Sequence, residues 1–268
     1  MTMKFGFVVP WGDAEDVGDL AAAAEISGWD GLFVWEPVWG VDAWISLGLA
    51  AARTSKIRLG TLLTPPSRRR PWELASQVAT VDRISSGRVT LSVGLGATNS
   101  GFETFGEECD RRTRADLMDE SLDIICGLWG GQPFAYDGQH YTVQPTEFPT
   151  IGETVQKPRV PIWCVGALGR EKSMTRALSW DGIIPQVLDS GEIRQPHLDE
   201  VAALRDRVKS EIADRAFDII VEGSMSDHSP AAYADAGATW WIESMWEAMA
   251  EHSPVTAAYD RLLLGPPT

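Results

Sequence analysis

Short β-branched runs alternate with longer amphipathic ones eight times along the chain, and few folds accept that order. The predicted strands are Lys4–Val9, Gly31–Glu36, Ile57–Leu63, Arg88–Gly94, Pro161–Val165, Gly182–Pro185, Phe217–Glu222 and Thr239–Glu243. Between them the pattern predicts helices Asp16–Ser27, Ala43–Thr54, Pro71–Ile84, Arg114–Leu128, Arg170–Ser179, His197–Ala213 and Pro230–Ala236, with a closing helix over Trp246–Leu263. Gly28, Gly87 and Gly237 fall where helices should stop before the next strand. Apolar strands separated by helices imply a parallel sheet, and eight repeats close it into a (β/α)8 barrel. The competing open, doubly wound sheet needs a Gly-rich first turn. Here that turn is Pro10-Trp11-Gly12-Asp13, and the later Gly94-Leu95-Gly96 lacks the third glycine of a dinucleotide site.

The chain has 268 residues and 44% hydrophobic content, enough for one α/β domain over residues 1–268. The fourth and fifth strands stand further apart than any other pair, which marks an insertion. It contains Phe134–Val143, which reads as a hairpin turning at Asp137-Gly138. Because it follows a helix, this hairpin is expected on the floor of the barrel, with His140 outside the site. Net charge is -15, which argues against nucleic-acid or anionic-membrane partners. No apolar run approaches the roughly 20 residues of a membrane span. The amino terminus enters a strand without a signal-peptide layout. Cys109, Cys126 and Cys164 are scattered, which favours a reducing cytoplasm over a disulfide framework or zinc site. Cys164 lies inside an apolar strand and reads as a buried thiol.

In such a barrel the chemistry sits at the carboxyl ends of the strands. Those ends supply three carboxylates, Glu36, Glu222 and Glu243, as candidate catalytic groups or ligands of a hard metal. Trp11, Trp39, Gln186 and Trp241 are the candidate substrate contacts, an aromatic set suited to a planar apolar ligand. Gly166-Ala167-Leu168-Gly169 followed by Arg170 opens a helix and could cradle a phosphate. Asn99 ends the Gly-rich turn after strand four. Arg68, Arg69 and Arg70 crowd one strand end in an acidic chain, to meet either an anionic ligand or acidic neighbours. No metalloprotease, serine-hydrolase or P-loop motif occurs.

Leu59-Gly-Thr-Leu-Leu-Thr-Pro-Pro-Ser-Arg-Arg-Arg-Pro-Trp-Glu-Leu-Ala-Ser-Gln77, followed by Thr80-Val-Asp-Arg-Ile-Ser-Ser-Gly-Arg-Val-Thr-Leu-Ser-Val-Gly-Leu-Gly96, closely resembles the luciferase-like monooxygenase family. The likeness continues through Phe102-Glu-Thr-Phe-Gly106, Arg114–Glu120, Leu128-Trp-Gly-Gly, Gly138-Gln-His-Tyr141 and Trp180-Asp-Gly182. It implies a flavin- or coenzyme F420-dependent oxidoreductase acting on a small organic substrate, and commonly a homodimer. It also implies a non-prolyl cis peptide at Thr61–Leu62, with Thr64 near the polar edge of an FMN or F420 ring. The phosphate site would be Gly166–Gly169 with Arg114. Many members carry an acid–His pair after strand two. This chain has Glu36-Pro37, so another group must move protons. The short segment Gly223–Gly237 leaves little to cover the reaction and favours hydride transfer over monooxygenation. A metal-dependent isomerase using the three glutamates, or a barrel that binds flavin without turnover, are the alternative readings.

Overall fold

The computed structural model describes residues 2–9, 11–147, 153–190, 192–212, 215–224, 229–246 and 254–267. The elements run β1 (Lys4–Val9), α1 (Ala14–Ile26), β2 (Gly31–Val34), α2 (Ala43–Arg53), β3 (Arg58–Thr61), α3 (Pro71–Ile84) and β4 (Val89–Val93). Then come α4 (Phe102–Phe105), α5 (Arg111–Gly130), β5 (Phe134–Asp137), β6 (Thr142–Thr146), β7 (Ile162–Ala167), α6 (Glu171–Leu178), β8 (Gly182–Asp189) and β9 (Glu192–Arg194). The chain continues through α7 (Leu198–Ile212), β10 (Asp218–Gly223), α8 (Pro230–Ala236), β11 (Trp240–Glu243) and α9 (Pro254–Leu263). The closing helix therefore starts later than the sequence pattern indicates, and residues 247–253 of that expected helix lie outside the described residues. So does Pro10, at the expected end of the first strand.

Eight parallel strands close a ring in the order β1-β2-β3-β4-β7-β8-β10-β11, with β11 returning to β1 and β8 pairing with β10. The (β/α)8 barrel expected from the alternation is what forms. Along each strand, alternate side chains point in and out. Val8, Phe33, Leu62, Trp163, Ile184, Ile220, Trp240 and Ile242 fill the interior as one cluster. The residues between them join a larger layer under the helices. Three aromatic rings dominate the interior: Phe33, Trp163 and Trp240, with centroids 5.2–6.1 Å apart. Glycines make room for them. A Cβ at Gly31 would stand 2.8 Å from the Phe33 ring, and one at Gly60 would stand 2.4 Å from the backbone oxygen of Thr90.

Two features differ from the sequence reading. β8 extends to Asp189 and pairs antiparallel with the short β9, which the pattern does not announce. The β5–β6 hairpin climbs the outer wall instead of lying on the floor. The backbone N–H groups of Gln139, His140 and Tyr141 donate to the Glu120 carboxylate, halfway up α5, at 2.7–3.1 Å. Tyr141 meets Trp72, in the first turn of α3, edge-on at 6.4 Å. A half-buried acceptor on a neighbouring helix, taking three successive N–H groups, draws the hairpin up the wall. Among the described residues no helix is long and apolar enough to cross a membrane.

The glycine spacing generates a test. Gly60→Ala is expected to lower stability by about 1–3 kcal/mol, because the new methyl meets backbone that cannot swing aside. Gly48→Ala, mid-α2 with nothing within 4 Å of the added Cβ, is expected to raise stability by about 0.5–1 kcal/mol. Urea denaturation midpoints check both.

Candidate active site

β3 ends in a backbone wall. The Leu62 N–H still donates to Val34 O at 2.9 Å, continuing the ladder with β2. The cis peptide follows at Leu62–Leu63, one bond later than expected, because the extended pairing runs one residue further. The Thr64 N–H then donates to Ser92 O at 2.9 Å and brings the segment back alongside β4. At the end of β4, Gly94 leaves a notch: a Cβ there would lie 2.8 Å from Leu63 Cδ2 and 2.9 Å from Val165 Cγ2. Below it the fully buried Ser92 hydroxyl points into the barrel with no partner among the described residues.

Behind the wall, Glu36 is 4% exposed and both its oxygens are engaged. Thr64 Oγ1 donates to Oε2 at 2.6 Å and sits 2.9 Å from Thr61 Oγ1. Arg69 Nε donates to Oε1 at 2.8 Å, while its other nitrogens reach Gln77 at 3.0 Å and Asp42 at 3.5 Å. Burial pulls the Arg69 guanidinium down, but Glu36 and Asp42 outweigh it and the net direction is up. Arg68 donates to Pro37 O at 2.8 Å and covers Phe102, with Arg114 on the same ring. Two of the three clustered arginines thus brace the ends of β2 and β3. Only Arg70, at the start of α3, is exposed. Thr61 and Thr64 face this network and not the mouth, so the wall toward the mouth is Leu62 and Leu63.

The three candidate carboxylates do not converge. Glu243 stands one residue out of phase with the inward-facing Ile242 and so turns outward. It is 3% exposed and forms a bidentate pair with Arg261 of α9, both contacts at 2.6 Å. Burial lifts its carboxyl above the usual range while Arg261 opposes the shift. Trp241 also faces outward, fully buried and 5.6 Å from Tyr233 of α8. Neither reaches the mouth, contrary to the expectation from strand-end position alone. Glu222 is in phase with Ile220 and points inward. It accepts from the Trp246 indole N–H and from Ser244, and burial raises its carboxyl above the ordinary 4.5 despite those bonds. Trp246 meets Trp35 edge-on at 6.3 Å. Trp246 and Ser244 were not singled out from the sequence; their phase with Ile242 was the available signal. With Glu36 and Glu243 each held by an arginine, the glutamates form no ligand set. Among the described residues no cluster of three or more metal-binding side chains occurs.

The remaining candidates divide between loops. Gln186, on β8, shares the inward phase of Ile184, and its backbone oxygen accepts from Leu168 N–H at 2.8 Å. Trp11 is half-buried, and its indole N–H has no partner among the described residues. Trp39 is 81% exposed. In the loop after β7, the N–H of Ala167 donates to Ser173 Oγ at 3.0 Å and that of Arg170 to Ala167 O at 3.1 Å. Gly166 serves packing, since a Cβ would lie 2.4 Å from Ile183 Cδ1. Gly169, at φ 75°, opens onto free space. Arg170 and Asn99 are exposed. Arg114 is 7% exposed and donates to the backbone oxygens of Leu95 (2.6 Å) and Gly96 (3.1 Å), so it supports the β4 loop. Its Nε–H has no partner among the described residues. Burial pushes the Cys164 thiol up to about 12 and Cys126 up to about 11, which suits neither to nucleophilic work.

Arg261→Met should leave Glu243 as an unpaired buried charge and cost about 3–5 kcal/mol in urea denaturation. Glu243→Leu combined with Arg261→Met should recover most of that loss. A double variant as unstable as the single one would contradict a purely structural pair.

The luciferase-like monooxygenase family matches residues 3–261. Over 206 residues the chain is 32% identical to an F420-dependent glucose-6-phosphate dehydrogenase of Nakamurella multipartita, covering 72% of this chain and 58% of that protein. It is 36% identical over 156 residues to an uncharacterised protein of Mycobacterium tuberculosis, covering 57% and 53%. The chain thus spans little more than half the length of these curated relatives. Among solved structures, an F420-dependent secondary alcohol dehydrogenase in complex with an F420–acetone adduct superimposes with TM-score 0.72 at 16% identity, over 97% of this chain and 99% of that one. The oxygenating constituent of the Pseudomonas putida 3,6-diketocamphane monooxygenase, in complex with FMN, gives 0.67 at 18% identity, over 84% and 67%. On the family match and the barrel that carries it, this chain belongs to the luciferase-like monooxygenase family.

Proposed function

We propose that the chain is an F420-dependent oxidoreductase that moves hydride between the deazaflavin and a carbonyl or alcohol carbon of a small organic substrate. The observation that carries this reading is the pairing of two features across the mouth. In the ring order β3 stands opposite β10. The Leu62–Leu63 wall therefore stands across the ring from the strand that carries Glu222, with the Gly94 notch beside it on the neighbouring strand. The residues present fit a flat ring: the notch has no Cβ, Leu63 and Val165 flank it, and the orphaned Ser92 hydroxyl lies beneath. Gly169, with open space and a following helix amino terminus, would meet an anionic tail together with the exposed Arg170. F420 is preferred to FMN because relatives at 31–32% identity bear F420-dependent names.

When bound, the cofactor supplies hydride chemistry that no side chain offers. The protein's part is to position, exclude water and hold a proton. Leu62, Leu63 and Val165 present an apolar wall. Glu36 cannot serve as base, since Arg69 and Thr64 occupy its oxygens, and Pro37 replaces the expected histidine. Glu222 takes that place. Burial keeps its carboxyl protonated to higher pH than an ordinary glutamate. The Trp246 indole N–H and Ser244 orient the carboxyl, which would pass its proton to a substrate oxygen as a carbonyl is reduced. The segment between β10 and α8 is short in sequence, which favours hydride transfer over monooxygenation.

Titrating the protein with F420 and with FMN, and following fluorescence quenching, tests the cofactor; tighter binding of FMN would overturn the preference. Product formed under labelled dioxygen is expected to carry no label by mass spectrometry. Glu222→Gln should lower turnover about 10²–10⁴-fold. The wild-type rate of carbonyl reduction should fall as pH rises through the raised Glu222 value, and the variant should lose that limb. Stability falls in the same direction. The native carboxyl titrates above its unfolded value of 4.5, so its burial destabilises increasingly as pH rises past that value. Glu222→Gln should therefore be more stable than wild type at neutral pH and lose the advantage in acid, as thermal melts across pH would show.

A further inference from the structure

The ribbon formed by β8 and β9 has two unlike faces. In an antiparallel pair, residues directly opposite one another share a face. Val187 stands opposite Arg194 and Asp189 opposite Glu192, which puts these four on one side. That side looks toward α7. Arg194 donates to both oxygens of Glu200, at 2.8 and 2.9 Å, and its Nε lies 3.9 Å from Asp189. The His197 N–H reaches the same Glu200 carboxylate at 2.7 Å, and Tyr233 Oη donates to Pro196 O at 2.9 Å, so the foot of the ribbon is held from behind. Leu188 stands opposite Ile193 on the other side. Leu188 shares the phase of Ile184, which fills the barrel interior, so this second face turns toward the barrel axis. It is apolar and uncovered: Ile193 is 62% exposed and Leu188 is half-buried.

Strand register places the apolar face beyond the inward carboxyl. β8 and β10 run side by side, with Gly182 beside Asp218 and Ile183 beside Ile219. Continued along both strands, this register makes Gln186 level with Glu222, and both share the inward phase. Leu188 stands two residues, about 7 Å, further toward the mouth. We infer that the β8–β9 ribbon is the specificity wall of the site, where Leu188 and Ile193 take the apolar body of a ketone or secondary alcohol whose oxygen lies at Glu222. The inference rests on the proposed function for the placement of that oxygen. An isoleucine and a leucine left in water on a braced ribbon gain by covering themselves with an alkyl or alicyclic group, and each methylene laid against them leaves water as well. The charged face, engaged with α7, cannot serve this purpose. The substrate class is therefore one whose chain or ring is long enough to reach from the carboxyl to Leu188.

Ligand-observed NMR titrations of the full chain without cofactor, comparing butanone, pentan-2-one and heptan-2-one, test this wall. Affinity is expected to rise about two- to fourfold for each added methylene. In Leu188→Ser and Ile193→Ser, shown to be folded by circular dichroism, that rise should shrink to less than about half while butanone binds as it does to the wild type. Glu192→Gln, on the opposite face, should keep the full rise. No rise in the wild type, a full rise in both serine variants, or an equal loss in Glu192→Gln would each overturn the inference. Sedimentation adds a further check: self-association abolished by Ile193→Ser, with the rise retained, would make the ribbon an interface between copies and sink the inference. Failure of the cofactor reading shows separately, as missing F420 binding, and leaves the chain-length series readable.

Discussion

Each side chain at the mouth takes its direction from the two-residue alternation of eight strands closed into one ring. A closed ring has no free edge and an interior too narrow for anything but side chains, so phase along a strand decides everything. Ile220 and Ile242 must point inward to fill the space left by Phe33, Trp163 and Trp240. Glu222 follows Ile220 by two residues and is carried to the interior rim. Glu243 follows Ile242 by one and is carried to the helix side, where Arg261 meets it. Two glutamates at equivalent strand ends acquire opposite fates from a single step of backbone.

The second organising contact is the buried pair of Glu36 and Arg69. A carboxylate that is 4% exposed must be compensated, and the arginine cluster after β3 supplies the charge. Through Thr64 the same carboxylate ties the end of β2 to the turn that follows β3. The wall at Leu62–Leu63 is therefore held from behind by charge and hydrogen bonds while its mouth-facing side stays apolar. The positive patch that stands out in an acidic sequence is mostly a brace between the ends of β2 and β3.

Much of the fold was legible because its signals are local. Helix α3 begins at Pro71 and ends at Ile84 as its pattern indicates, since proline suits a first helical turn and the following Gly87 adopts the left-handed stop. All eight barrel strands were legible from β-branched runs, with ends shifted by a few residues. The candidate site was less so. Strand-end position identified Glu222 and Gln186 with Glu243 and Trp241, and composition alone cannot separate them. The hairpin at Phe134 was visible, but its seat against Glu120 was not, because that contact joins residues far apart in sequence. β9 was missed because three residues carry too little pattern to stand out.

The sequence by itself determined the alternation that makes a barrel, the motifs that identify the family and the proline in place of a histidine. These are properties of residue identity and order, and folding cannot alter them. Tertiary structure decided which carboxylate enters the mouth and which arginines are already spent on partners. Those outcomes depend on ring closure and on strand phase, which bring together residues from opposite ends of the chain and which no local pattern encodes.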